Sequence, residues 1–143
     1  MRKETIERGE ITPEVENAFL RGGCLSLAIA LAEETGWRVI KITDPYNVSE
    51  RDGDDLPVAL MGSALHWAVR RPADGALIDI DGAHDFDSLV RLYDDWAEGE
   101  AARAGTYQLE WAMEDFESGE AGSDVELDVA RQFVEAVLKR AEE

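Results

Sequence analysis

One cysteine, two histidines and a closely spaced pair of aspartates are the residues whose types and spacing suit chemistry. Cys24 follows Gly22-Gly23 and opens the apolar run Cys24-Leu25-Ser26-Leu27-Ala28. A helix that starts there presents unpaired N–H groups and a partial positive charge to the sulfur, and both favour thiolate over thiol. His66 comes next, and Asp79 and Asp81 follow it by 13 and 15 residues. A thiol nucleophile needs a base to take its proton, and the base needs an acceptor to orient it. The chain supplies these in the order Cys, His, Asp. The candidate site is therefore Cys24, His66 and either Asp79 or Asp81. Backbone N–H groups at the head of the Cys24 helix would receive the oxyanion of an attacked carbonyl.

The elements that must position these groups follow from local pattern. Thr12-Pro13-Glu14 reads as a helix start, with Thr as N-cap, and Gly22 as its left-handed end. The next helix is expected over Cys24–Thr35. It is apolar almost all round and so buried, with Gly36 as its stop. Residues 37–43 read as a strand and 44–62 as a long acidic loop. Ala64–Arg71 and Ala76–Ile80 read as a hairpin around Pro72-Ala73-Asp74-Gly75. With Arg71 opposite Ala76, His66 falls opposite Asp81 and Ala68 opposite Asp79. His66, Asp79 and Asp81 then share one face, with Asp81 the direct neighbour and Asp79 the diagonal one. A helix capped by Asp87 or Ser88 is expected to run to about Ala102, with Leu89, Leu92, Tyr93 and Trp96 on one face. Thr106–Met113 alternates and reads as a strand. After an acidic loop over 114–122, Ser123-x-x-Glu126 is a capping box that opens a last helix to about Ala141. Helices packed on one antiparallel sheet of about four strands, an α+β fold, satisfy this order.

The 143 residues suit a single domain, with 1–11 as a loose N-terminal arm or a first helical turn. A formal charge of -18, from 32 acidic and 14 basic residues, repels phosphates and anionic lipids, so neither nucleic acid nor membrane is an expected partner. Residues 104–130 carry eight acids and no Lys or Arg. A solvated face is the plain reading, and a surface for a basic protein partner the sharper one. One cysteine allows no internal disulfide, and no signal peptide or apolar span is evident, so the cytoplasm is the expected compartment. No cofactor is expected. A metal is not expected either: Asp79-x-Asp81-Gly82 is no EF-hand loop, since Val90 stands where the bidentate Glu belongs. His84 together with His66 and an aspartate lacks a third strong ligand at defined spacing.

Singly, each residue has a plainer role. Cys24 shares a stripe with Leu27, Ala28 and Leu31 and could simply pack. What favours chemistry is coincidence: one cysteine at a helix start, and a histidine and aspartates facing alike on one hairpin.

Gly and Cys at the head of a buried Ala/Leu-rich helix, then His66-Trp67 on a strand and Asp on the next, resemble the papain-like cysteine hydrolase superfamily. Its transglutaminase-like branch matches in order and spacing. The chain also looks similar to small bacterial and phage proteins with the pattern seen here as Gly22, Cys24, Ala28, Leu31, His66, Val69, Asp74, Gly75, Asp79 and Gly82. On that pattern Asp79 is the acid, whereas direct strand pairing points to Asp81. The resemblance covers about residues 17–95. It implies a papain-like or transglutaminase-like fold and a cysteine peptidase, amidase, deamidase or transglutaminase. Such an enzyme would attack an amide or isopeptide carbonyl of a protein or peptide-like substrate through a thioester.

Overall fold

A computed structural model of the chain describes residues 12–20, 23–44, 63–96, 101–118 and 125–142. Its elements in chain order are α1 (Pro13–Leu20), α2 (Cys24–Thr35), β1 (Arg38–Asp44), β2 (Ser63–Arg70), β3 (Leu77–Asp79) and β4 (Gly82–His84). There follow α3 (Phe86–Leu92), a 3-10 turn (Asp94–Trp96), β5 (Arg103–Tyr107), α4 (Leu109–Ser118), α5 (Leu127–Arg131) and α6 (Val134–Ala141). The strands form one antiparallel sheet in the order β4-β3-β2-β1-β5.

Local chemistry accounts for the early elements. The Thr12 hydroxyl accepts from the Val15 N–H at 3.3 Å and caps α1. Helix α2 has the expected bounds and ends on Gly36, whose φ of 74° is the left-handed conformation glycine adopts without strain. Leu25 to Ala32 are all buried, so α2 is a core element, not a surface one.

Two cores sandwich the sheet. The larger one joins α1 and α2 with α4, α5 and α6 over Val39, Trp67, Val69, Ile78 and Tyr107. The smaller one covers the opposite face, where Ile40, Ile42, Ala68 and Leu77 meet Leu89 of α3 and Ala102. This is why β1 reads as a nearly continuous buried run: both its faces are covered. Tyr107 centres an aromatic group, with Trp67 and Trp111 edge-on to it at 5.2 and 5.4 Å.

Several expectations need correction. The sheet has five strands, not four, because Gly82–His84 adds an edge to β3. The stretch Thr106–Met113 is not one strand. β5 ends at Tyr107, and Leu109–Ser118 is helical, because Ala112 and Phe116 turn inward at helical spacing as Trp111 and Met113 flank them. The helix expected up to Ala102 stops at Leu92. Asp85, not Asp87 or Ser88, is its N-cap, its carboxylate accepting from the Ser88 N–H. The chain then turns at Asp94, whose carboxylate accepts from the Ala102 N–H at 3.0 Å. The last helix is broken between Arg131 and Val134. The arm over 1–11, the Gly22 terminus, most of the 44–62 loop and Ser123 of the capping box lie outside the described residues.

Candidate functional site

Helix α2 sets the sulfur. Gly23 immediately precedes Cys24 at an ordinary φ of -101°, so glycine is required there for space, not for torsion. A Cβ on Gly23 would sit 2.7 Å from Val125 Cγ2, 2.8 Å from the Ala18 carbonyl oxygen and 2.9 Å from Phe19 Cδ1. The chain from α1 into α2 and the segment before α5 meet at this point. The Ser26 hydroxyl, fully buried, ties the first turn of α2 to the Val125 carbonyl. Cys24 itself is only partly buried, unlike the residues that follow it in α2.

The hairpin sets His66 and Asp79. Val69 pairs with Ile78 and Arg70 with Leu77, the register expected from the turn, and the Arg71 N–H closes the loop onto the Ala76 carbonyl at 2.8 Å. That ladder does not continue to Asp81, because β3 ends at Asp79 and the chain reverses through Ile80 and Asp81 into β4. Gly82 pairs with Asp79 at φ 106°. Asp81 is thereby carried out to an exposed turn. Asp79 stays buried, and its Oδ2 meets His66 Nε2 at 2.9 Å. Of the two aspartates, Asp79 bonds the histidine.

Asp79 has small neighbours directly opposite it on both sides. Extending the register places Ala68 on β2, and Gly82 is its partner on β4. Larger side chains reach it diagonally instead. His66 arrives from β2, and His84 from β4, its Nε2 lying 2.7 Å from Asp79 Oδ1. The Asp81 N–H donates to the same Oδ1 at 2.9 Å, an Asx-type turn. Both oxygens of Asp79 are thus occupied by donors.

A β-bulge lies next to His66. Ile42 pairs with His66 and Thr43 with Ala64, so Leu65 has no partner on β1. Bulges of this kind re-aim side chains at sites. The ring of Tyr93, from the end of α3, stacks on His66 at 5.1 Å and 14°. Sequence reading placed Tyr93 only on an apolar helical face. Its partner was not legible because it depends on where α3 ends.

The electrostatics follow from this arrangement. Burial alone would push His66 down, but the Asp79 carboxylate and the sulfur of Cys24 outweigh it, and the imidazole is pushed up to about 9. Burial works to raise Asp79, yet its bonds to His66 and His84 hold it well below the usual carboxylate range. His84 is raised by Asp79 against its own partial burial. Asp81 is raised by partial burial and by the nearby charges of Asp79 and Glu16.

His66 Nδ1 is buried and has no hydrogen-bond partner among the described residues. Cys24 is near enough to help raise the ring, although no contact at Nδ1 meets hydrogen-bond geometry, as in many ligand-free sites whose bonds tighten on binding. With Nε2 committed to Asp79, Nδ1 is the ring nitrogen left without a partner among the described residues.

Asp79, Asp81 and His84 also bring one ligand atom each within 4.8 Å of one another. His84 Nε2 is bonded to Asp79, and Asp79 already accepts three donors. The set is better satisfied as a hydrogen-bond network than as a metal cage.

Nothing matched the chain in comparisons with protein-family models, curated proteins and solved structures. No single helix among the described residues is long and apolar enough to cross a membrane.

Proposed function

We propose that the chain is a cysteine-dependent hydrolase or acyltransferase acting on an amide or isopeptide carbonyl, with Cys24 as nucleophile, His66 as base and Asp79 as its orienting acid. The observation that carries this reading is the 2.9 Å bond between Asp79 and His66 Nε2, which leaves the buried Nδ1 unpartnered beside Cys24. The sequence resemblance to the transglutaminase-like branch of the papain-like superfamily supports the same assignment.

The chemistry would run in two halves. The Cys24 thiolate attacks the carbonyl carbon, and the C–S bond forms as the carbonyl electron pair moves to oxygen. The N–H groups of the first turn of α2 face that oxyanion. As the C–N bond breaks, imidazolium His66 gives its Nδ1 proton to the leaving amine, and a thioester remains. His66 then takes a proton from water, or from an acceptor amine, which attacks the thioester and releases the Cys24 thiolate. Asp79 keeps its charge throughout and holds the Nε2–H tautomer.

The test is the rate of Cys24 alkylation by iodoacetamide across pH, in the wild type and in His66→Ala. Fast alkylation below neutral pH that drops tenfold or more in His66→Ala supports the pair. Equal rates in both proteins, or a Cys24 that reacts only after denaturation, reject it.

A second reading, a non-catalytic acidic protein that binds a basic partner, is favoured by one observation. Glu110, Glu114 and Glu117 form an exposed stripe along α4 in a chain of charge -18. This reading predicts a co-purifying basic protein whose association weakens steeply with salt. Salt-insensitive association sinks it.

A further inference from the structure

The second histidine is held by the same carboxylate as the first, and the proposed mechanism gives it no task. His84 Nε2 lies 2.7 Å from Asp79 Oδ1, as His66 Nε2 lies 2.9 Å from Oδ2. The two imidazoles come from opposite neighbours of β3, with Ala68 and Gly82 leaving room for them. His66 is buried, whereas the His84 side chain is 24% exposed. One imidazole thus meets solvent, the other faces Cys24, and the buried carboxylate joins them.

We propose that His84 is a positioning residue that shares Asp79 with His66 and thereby sets how tightly His66 holds its proton. A carboxylate that accepts a bond from a second imidazole, charged or neutral, is a weaker acceptor for the first. His84 therefore draws Asp79 away from His66 electrostatically while helping to fix its geometry. The Asp81 N–H holds the same oxygen, so Asp79 keeps its orientation when His84 is removed. The inference rests on the Cys24–His66–Asp79 reading for its catalytic meaning.

The other charged groups around this chain are few. Asp81, in the turn after β3, acts on both His84 and Asp79. From α6, Arg140 packs against Gly82, and its guanidinium bonds Glu16 of α1 at 2.8 Å and the Ile80 carbonyl at 3.2 Å. Cys24 of α2 and the stacked Tyr93 face His66. None of these donates to Asp79 from its side chain, so among the described residues His84 is the side chain that competes with His66 for the carboxylate in this way.

The chain has two histidines, so their titration is readable directly. The experiment is an imidazole 15N NMR titration of the full chain, in the wild type, His84→Ala and His84→Gln. In the wild type the His66 midpoint is expected well above 6.5, near 9. In His84→Ala its midpoint rises by roughly half a pH unit or more, because Asp79 then serves His66 alone. In His84→Gln, whose amide is a neutral donor, it rises less. A purely structural His84 predicts the opposite: Asp79 loosens and the His66 midpoint falls. A midpoint that falls or stays put overturns the proposal. Cys24 alkylation on the same samples is a separate readout. An inert thiol rejects the catalytic reading, while the titration still judges whether His84 shares Asp79.

Discussion

His66 bonds Asp79 across a diagonal of the hairpin and not Asp81, although the register of β2 and β3 points His66 at Asp81. The difference is made by the turn at Ile80-Asp81, which ends the ladder before the direct partner is reached and leaves Asp79 as the buried member. The two carboxylates should therefore differ sharply under mutation. Asp79→Asn removes the charge that holds a buried imidazole and replaces one accepting oxygen with an NH2 donor, so urea denaturation is expected to show a loss of about 2–4 kcal/mol and Cys24 alkylation to slow at least tenfold. Asp81→Asn, at an exposed position, is expected to change stability by less than about 0.5 kcal/mol. Similar losses for both variants would return Asp81 to the site.

The His66–Asp79 pair makes stability depend on pH in a defined window. His66 is raised from 6.5 to about 9 on folding, so its contribution is full below about pH 6.5 and is lost as pH rises through about 9. The shift corresponds to about 3 kcal/mol over that interval. Asp79 is lowered, so its contribution is present above the ordinary carboxylate range and is lost as pH falls through its depressed value. Urea midpoints between pH 6 and 9.5 should fall steadily in the wild type and fall less steeply in His66→Gln, where the raised His84 still contributes. A flat wild-type profile contradicts the pairing.

Gly23 is a tight point just before Cys24. Gly23→Ala places a methyl against the Ala18 backbone oxygen at 2.8 Å and Val125 Cγ2 at 2.7 Å, and a backbone atom cannot rotate away. A loss of about 1–3 kcal/mol is expected, read as a drop of several degrees in Tm. Gly36→Ala has open space around it but a φ of 74°, so its loss, near 1 kcal/mol, comes from torsion alone. If Gly23→Ala is the milder of the two, the packing at the head of α2 is looser than the structure shows.

Tyr93 covers His66 by ring stacking. Tyr93→Phe keeps the ring and should leave stability within about 0.5 kcal/mol, whereas Tyr93→Ala should lose about 1 kcal/mol beyond the area it uncovers. Urea denaturation of both variants checks this. Equal losses would show that the hydroxyl, not the ring, holds the residue.

The sequence carried the first half of the fold better than the second, for physical reasons. Cys24–Thr35 is bounded by Gly23 and Gly36 and is apolar throughout, so its limits were legible to the residue. The hairpin register followed from Pro72–Gly75 alone. Strand β4 has three residues and exists only as an edge on β3, too short for any period to show. In Tyr107–Met113 the apolar residues also fit a helix once Ala112 and Phe116 are counted, and tertiary packing chose the helix. Tyr93 on His66 and His84 on Asp79 are contacts between elements, which no local pattern encodes. The papain-like likeness remains a resemblance of motifs.

His66 and Asp79 belong to one continuous piece of chain, the β2–β3 hairpin, whereas the sulfur stands on α2, seated by Gly23 and Ser26 against Ala18, Phe19 and Val125. Each half can be locally intact without the other. What brings Cys24 to His66 is the docking of helix on sheet, so the thiol is a built-in gauge of tertiary order. A loosened core that keeps its secondary structure should silence Cys24 before circular dichroism in the far ultraviolet registers any change.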